Sequence, residues 1–518
     1  MGTQNCRLRT IGNIDEKENE RKRLQALIDG QKSIESRRQL GQFATPLALA
    51  KEIISYGLAL HNENEISFLE PAFGTGSFYS ALLSQIESTD KCIDNATGIE
   101  VDNMFYSAAK DLWDGYNINL INSDFTECEC TSKYNFLVSN PPYVRHHFIN
   151  QTKKAELAKS VLQETGLSFT GLAGLYCYFI LLSHKWLAPN AISGWLIPSE
   201  FMDVNYGSTL KDYLLNNVHL IRIHRYNPQN CQFDDATVSS CVVWFKNETI
   251  SEDYDIEFSY GGTHSNPEKS IKVKKHILEN HRKWTHFPSR DIKSNYSNSS
   301  TSVLGNFFTI KRGLATGDNN FFILSKEQIE ELALDMSFFT PILPSPRHLK
   351  CNEVLSDKDG YPLLDTQYFL LNCTMEQSEL QSKYPSIWHY LSKGEETTAQ
   401  KYLCKNRKMW YLQETRAVTP FLCSYMGRGS ESHSMPFRFV LNHSDAIATN
   451  SYLMLYPKKH LQDAISKSPD TLNTVWNILN HITKEDLESE GRVYGGGLKK
   501  IEPRELALVR CPRLAELI

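Results

Sequence analysis

A doubly wound α/β domain with a mostly parallel sheet, followed by a smaller mixed α+β domain, is predicted by three observations. Short apolar runs alternate with helix-patterned segments through the first half of the chain, and a glycine turn joins one such run to a helix. The third observation is length, since 518 residues exceed the about 250 to 300 that one core usually serves. A composition 41% hydrophobic and 22% charged supplies full cores and excludes a mainly disordered chain. The net charge of -5, taken alone, argues against a partner as negative as nucleic acid.

Residues 14–40 are strongly charged, with Leu24, Leu27, Ile28 and Ile34 at near-helical spacing and Glu18 four residues before Lys22. They predict one amphipathic helix, the core of an N-terminal segment at 1–40. Residues 66–69 form a strand that ends at Glu70, 78–86 a helix, 96–99 a strand that ends at Glu100, and 104–112 a helix. Strands follow at 118–121 and 135–138, then a long helix at 176–187 and a strand at 194–197. The β-rich runs at 220–226 and 240–245 add an antiparallel hairpin. This first domain is placed at 41–262. A basic, Ser/Asn-rich connector is read at 263–302, with eight Lys or Arg against three Asp or Glu between His264 and Lys293. The second domain, 303–518, shows turn signals about every ten residues and no period.

Other classes are set aside quickly. The 12 cysteines hold one close pair, Cys128 and Cys130, with no second pair at zinc spacing, so no metal is expected. No secretory signal or membrane span is read, which predicts a cytoplasmic protein with reduced thiols and no membrane partner.

The chemistry is concentrated at strand ends. In FLEPAFGTGSF (68–78) a strand ends in Glu70 and runs into Gly74-Thr75-Gly76, where backbone must turn and approach a ligand without a Cβ in the way. Glu100 ends the next strand in GIEVD and can accept both hydroxyls of a ribose. The glycine pattern is incomplete for G-x-G-x-x-G and no phosphate-binding lysine follows, so an adenosine cofactor without phosphates fits better than a nucleotide. Asp124 in NSDF ends the following strand and is positioned for an adenine amine. After the apolar run 136–138 comes Asn140-Pro141-Pro142-Tyr143. Two prolines fix the backbone and remove two amide donors, so the Asn side chain and a proline carbonyl present acceptors suited to an exocyclic amine.

The order FATP (43–46), EPAFGTGSF, GIEVD, NSDF and NPPY, followed by a long C-terminal region, resembles the gamma class of N6-adenine DNA methyltransferases, the TaqI-like enzymes of restriction–modification systems. The resemblance implies a Rossmann-like class I methyltransferase domain, S-adenosylmethionine as cofactor and double-stranded DNA as partner. It carries Thr45, Pro46, Glu70, Pro71, Ala72, Gly74, Glu100, Asp124, Phe125 and Asn140 over to cofactor binding, and Asn140, Pro141, Pro142 and Tyr143 to catalysis. Tyr143 and Phe233 would stack on a flipped adenine. The family usually has cysteine where this chain has Phe73. Asn-Pro-Pro-Tyr also occurs in enzymes acting on RNA amines or protein glutamine, but these are usually shorter and lack both FATP and a large C-terminal domain. That domain resembles a target-recognition region in KRGLATGDNNFFIL (311–324), 407–429, 439–455 and 494–512. Its basic clusters nominate Arg407, Lys408, Arg428, Lys499 and Lys500 for DNA contact. A cognate restriction endonuclease would be a separate chain, and a modification subunit that needs a partner is the alternative. The charge follows this division: all of the acidic excess lies before residue 300.

Overall fold

The computed structural model describes residues 13–169, 171–227, 239–288, 302–427, 435–493 and 498–517. Phe233 and Arg428 lie outside them. Two compact units divide the chain near residue 295.

The first unit is built on a nine-stranded sheet ordered β3-β2-β1-β4-β5-β7-β6-β8-β9. These strands are β1 (Glu65–Glu70), β2 (Cys92–Glu100), β3 (Asn119–Asn122), β4 (Tyr134–Ser139), β5 (Leu187–Pro198), β6 (His219–Arg225), β7 (Ser240–Lys246), β8 (Asp255–Tyr260) and β9 (Lys269–Lys274). The first five run parallel, whereas β7 is antiparallel to both β5 and β6. Side chains alternate between two cores. Ile66, Phe68, Phe136 and Val138 face one, and Leu69 and Leu137 the other.

The helices are α1 (Ile14–Gln31), α2 (Ile34–Leu40), α3 (Leu47–Leu60), α4 (Ser77–Ile86), α5 (Asn103–Leu112), α6 (Gln151–Thr165), α7 (Leu175–Leu182) and α8 (Ser208–Asn216). Three expectations need correcting. The single N-terminal helix is two, because Lys32 leaves the helical region with extended backbone. The helix read to residue 187 stops at Leu182, and after a short 3-10 turn β5 starts at Leu187, since a continuous apolar run serves helix and buried strand equally. The sheet also passes residue 262: Lys269–Lys274, read as connector, pairs antiparallel with β8, and Trp284 and Phe287 pack into the same core.

The second unit holds three sheets. Five strands follow the order β10-β18-β15-β17-β13, three the order β11-β14-β12, and three more β16-β20-β19. Their ranges are β10 (Phe308–Arg312), β11 (Ile323–Ser325), β12 (Phe339–Ile342), β13 (Glu353–Val354), β14 (Tyr368–Leu371), β15 (Phe421–Ser424), β16 (Met426–Gly427), β17 (Phe439–Asn442), β18 (Tyr452–Pro457), β19 (Arg492–Val493) and β20 (Lys499–Lys500). Among the described residues no helix is long and apolar enough to cross a membrane. Nine of the described cysteines are free thiols.

Candidate active site

Strand order reverses around β1, flanked by β2 and β4, which is where doubly wound sheets open a ligand crevice at the carboxyl ends of their strands. Glu70, Glu100 and Asn140 stand at or directly beyond those ends. After β1 the chain turns through Gly74 (φ 55°) and Gly76 (φ 86°) into α4, a left-handed backbone that glycine adopts without penalty. A Cβ at Gly76 would lie 2.5 Å from the Phe73 ring. Phe73 is 2% exposed and shares a core with Tyr79 and Trp113. Room for its ring comes from Gly98, where a Cβ would meet it at 2.4 Å. The departure from cysteine is therefore absorbed in the core beneath the turn.

Glu100 accepts the Gly74 N–H at 2.7 Å and the Asp102 N–H at 2.8 Å. Burial raises its pKa, and these two amides oppose the rise. Glu70 accepts the Tyr79 N–H at 3.2 Å, and burial holds its carboxyl well above the usual carboxylate range. Over the turn lies α1, whose role here the sequence did not reveal. Arg21 makes a two-pronged pair with Glu18 (2.7 and 2.9 Å) and donates to Thr75 Oγ1 at 2.9 Å, while Ser80 donates to Glu18 at 2.6 Å. Lys32 and Gln42 both reach Asp102 Oδ2, which places the N-terminal helices against the loop after β2.

Asp124 is more heavily engaged than expected. Its Oδ1 accepts the Thr126 amide and hydroxyl at 2.9 and 2.8 Å, and its Oδ2 pairs with Lys153 of α6 at 3.0 Å. Phe125 packs inward, its ring centroid 5.1 Å from that of Phe179 and 5.7 Å from that of Trp186.

Asn140 is held from one side. Its Nδ2 donates to the Phe43 carbonyl at 2.9 Å and to Thr45 Oγ1 at 3.1 Å. Both partners are acceptors here, which fixes the amide's orientation and turns Oδ1 the other way. That Oδ1 is buried and has no hydrogen-bond partner among the described residues. The segment predicted to join the site thus touches it through Phe43 and Thr45, while Pro46 is the exposed cap of α3. Tyr143 is 8% exposed, donates its hydroxyl to the Leu196 carbonyl at 3.1 Å and lies 5.7 Å from Phe43, ring to ring. Just beyond it, His146, His147, Asn150, Gln151, Lys154 and Leu172 line an open cavity of about 650 Å³, a feature that no motif announced.

Similarity to known proteins covers both units. Residues 48–232 match the family described as Eco57I restriction-modification methylase, and 283–518 match the C-terminal domain of the type II methyltransferase M.Eco57I. The two matches together take in well over half of the chain. The chain belongs to the restriction–modification methyltransferases. The type II methyltransferase M.AccI of Acinetobacter calcoaceticus is 26% identical over 496 residues, 92% of this chain and 85% of that protein. M.XamI of Xanthomonas campestris pv. amaranthicola is 27% identical over 389 residues, 73% of this chain and 68% of that protein. Among solved structures, the type IIL restriction-modification enzyme MmeI in complex with DNA shares the fold, with a TM-score of 0.53 and 15% identity over 85% of this chain and 66% of that one.

In the second unit of this methyltransferase the nominated basic residues are mostly committed internally. Arg407 donates to the Ala315 carbonyl at 2.8 Å, Lys499 pairs with Glu488, and Lys500 with Glu502 at 2.9 Å. Lys408 differs in being widely exposed, with Glu376, also exposed, 3.3 Å away.

Proposed function

We propose that the chain transfers a methyl group from S-adenosylmethionine to N6 of an adenine flipped out of a specific duplex DNA sequence, as the gamma-class modification enzyme of a restriction–modification system. The observation that carries this reading is the buried Oδ1 of Asn140, which has no partner among the described residues. An unsatisfied buried acceptor costs about 1–3 kcal/mol, and an amine N–H arriving there would relieve it.

The residues present fit the cofactor with one adjustment. Glu100 keeps lone pairs for ribose hydroxyls after accepting two amides, and the turn from Pro71 and Ala72 to Gly74 would border the methionine part. At Asp124 an adenine amine would have to share Oδ2 with Lys153 or displace it. When bound, the cofactor supplies a methyl group on a sulfonium, already activated for in-line attack.

The chain's own residues do the rest. Adenine N6 is a weak nucleophile because its lone pair is spread into the ring. Asn140 Oδ1 and the Pro141 carbonyl would each accept one N6 hydrogen, localising that pair toward the methyl carbon. Pro141 and Pro142 hold the acceptors in place, and Tyr143 offers its face to the base. Transfer would form the N–C bond as the C–S bond breaks, leaving the bonding pair on sulfur, and the extra N6 proton would leave toward solvent. In this reading the second unit recognises the sequence, and Lys154, with His146 and His147 in the cavity beyond Tyr143, would contact the displaced strand.

Incubation with tritiated S-adenosylmethionine and varied duplex DNA, followed by nucleoside analysis, should yield N6-methyladenine. Label confined to RNA or protein would sink the reading, and activity appearing only after a partner is added would favour the subunit alternative.

A further inference from the structure

The segment that follows α2 touches both halves of the site, and one residue within it lies between them. Gln42 is half-buried with both ends of its side-chain amide engaged: Nε2 donates to Asp102 Oδ2 at 3.0 Å, and Oε1 accepts from Lys32 Nζ at 3.0 Å. A carboxylate on one side and an ammonium on the other leave the amide a single orientation. Lys32 itself pairs with the same Asp102 oxygen and lies over the Phe105 ring, 4.6 Å from its centroid. Burial would raise the Asp102 pKa, but the bonds from Lys32 and Gln42 outweigh it and keep a carboxylate there. Asp102 is tied in turn to the loop after β2: Glu100 accepts its backbone N–H at 2.8 Å, and its Oδ1 accepts the Met104 N–H at 3.0 Å at the start of α5. The carboxylate that faces Gln42 is thus fixed to the residue assigned to the ribose.

On either side of Gln42 the chain grips the target half. The Gly41 carbonyl accepts the Tyr143 N–H at 3.2 Å, the one amide left in Pro141-Pro142-Tyr143. Gly41 has φ 65°, and a Cβ on it would lie 2.3 Å from the Tyr143 nitrogen, so only glycine lets the two backbones come this close. The Phe43 carbonyl and, two residues on, Thr45 Oγ1 hold Asn140 Nδ2. Three consecutive residues therefore join Asp102 to Tyr143 and Asn140.

We propose that Gln42 is a positioning residue that couples the two halves of the site: occupation of the ribose position at Glu100 fixes, through Asp102 and Gln42, the backbone of 41–45 and with it Asn140 and Tyr143. The coupling rests on the roles given to Glu100 and Asn140 under the proposed function. Ribose hydroxyls on Glu100 add bonds to the carboxylate that already holds the Asp102 amide, so the loop loses freedom when the cofactor arrives. Through the Gln42 amide that order passes to 41–45. Without the amide, 41–45 keeps its bonds to Asn140 and Tyr143 but is no longer tied to the loop. Coupling of this kind is reciprocal, so a target amine held by Asn140 also favours the cofactor. Sequence announced FATP but not the residue before it, because a lone glutamine reads as a solvated polar side chain.

Gln42→Met keeps the length of the side chain and removes both of its bonds. Hydrogen exchange of the full chain, read by mass spectrometry at the Tyr143 amide with and without S-adenosylhomocysteine, tests the coupling without any DNA. In the wild type the ligand should slow that exchange by about fivefold or more. In Gln42→Met the ligand should bind with a dissociation constant changed by less than about twofold, and the slowing should disappear. In methyl transfer the variant should lose about fivefold in kcat with KM for S-adenosylmethionine unchanged. A residue that only stabilised the fold would speed exchange equally with and without ligand. Slowing by the ligand that persists in Gln42→Met overturns the coupling, and so does a wild-type chain that binds the ligand with no change at Tyr143. Failure of the underlying reading looks different: a wild-type chain that binds no S-adenosylhomocysteine refutes the cofactor site and the coupling with it, whereas coupled exchange without N6-methyladenine as product sinks the reaction and leaves the coupling standing.

Discussion

Lys153 Nζ stands 3.0 Å from Asp124 Oδ2, so a lysine already occupies the oxygen assigned to the cofactor's adenine amine. Lys153 also pairs with Glu127, and the three lie at the N-terminal end of α6, beside the cavity beyond Tyr143. On the proposed reading, cofactor and lysine would compete for one carboxylate.

Replacing Lys153 with Met should therefore tighten S-adenosylmethionine binding. A partly exposed pair is worth about 0.2–1 kcal/mol, which corresponds to a Kd lowered by up to about fivefold. Calorimetry on the variant gives the answer, and an unchanged or weaker affinity would remove Asp124 from the adenine site.

Asn140→Ala should abolish turnover, with a loss on the order of 10²–10³ in kcat, while S-adenosylmethionine still binds. Thr45→Val is the finer test, because it removes the 3.1 Å bond to Nδ2 and leaves the Phe43 carbonyl in place. One lost hydrogen bond of about 1 kcal/mol predicts a roughly fivefold fall in kcat with little change in cofactor Kd.

Gly98→Ala should destabilise the first unit by about 1–3 kcal/mol, since the new methyl would overlap the Phe73 ring. Adding Phe73→Cys opens space for that methyl, so the double variant should cost less than the sum of the two single ones. Strict additivity in thermal melts would show that Phe73 and Gly98 do not share the space.

Arg21→Ala should cost about 3–5 kcal/mol near neutral pH, because it leaves the buried Glu18 with only the mostly exposed Lys22, 3.9 Å away, as a cation. In the wild type, burial pushes the Glu18 pKa up, but the bonds and charge of Arg21, together with the Ser80 hydroxyl and the charge of Lys22, outweigh it, and the folded value lies below the unfolded one. Stability from this group is thus complete above about pH 4.3 and is lost as pH falls through the folded value. In the variant burial dominates and the sign reverses, so the stability gap between the two proteins should narrow on acidification. A gap independent of pH would mean that Glu18 is not the group left exposed to the loss.

How much of this was legible beforehand depended on what each residue had to do. Glu70, Glu100 and Asn140 were readable because each closes an apolar run, and the end of a buried strand is where a doubly wound sheet meets ligand. The work of Arg21 and Glu18 was hidden, because charged residues on a helix read as a solvated face until a packing partner such as Thr75 is known. Lys153 was missed for the same reason. The strand Lys269–Lys274 looked like a linker because its outward positions are lysines, and period-two alternation over six residues is weak beside so strong a charge signal. In the second unit, strands of two to six residues left too little pattern for any topology.

That lysine-rich strand, β9, is one end of the nine-stranded sheet, with Val273 buried and Lys269, Lys272 and Lys274 exposed. Among the described residues no further strand pairs with its outer edge, whose amides and carbonyls form a template onto which another strand could dock, and repulsion between like ammonium groups makes an identical strand a poor guest. Charges that look like a preference for DNA thus also set how far the sheet can grow: neutralising the three lysines would turn the last strand of an enzyme into the first strand of an aggregate.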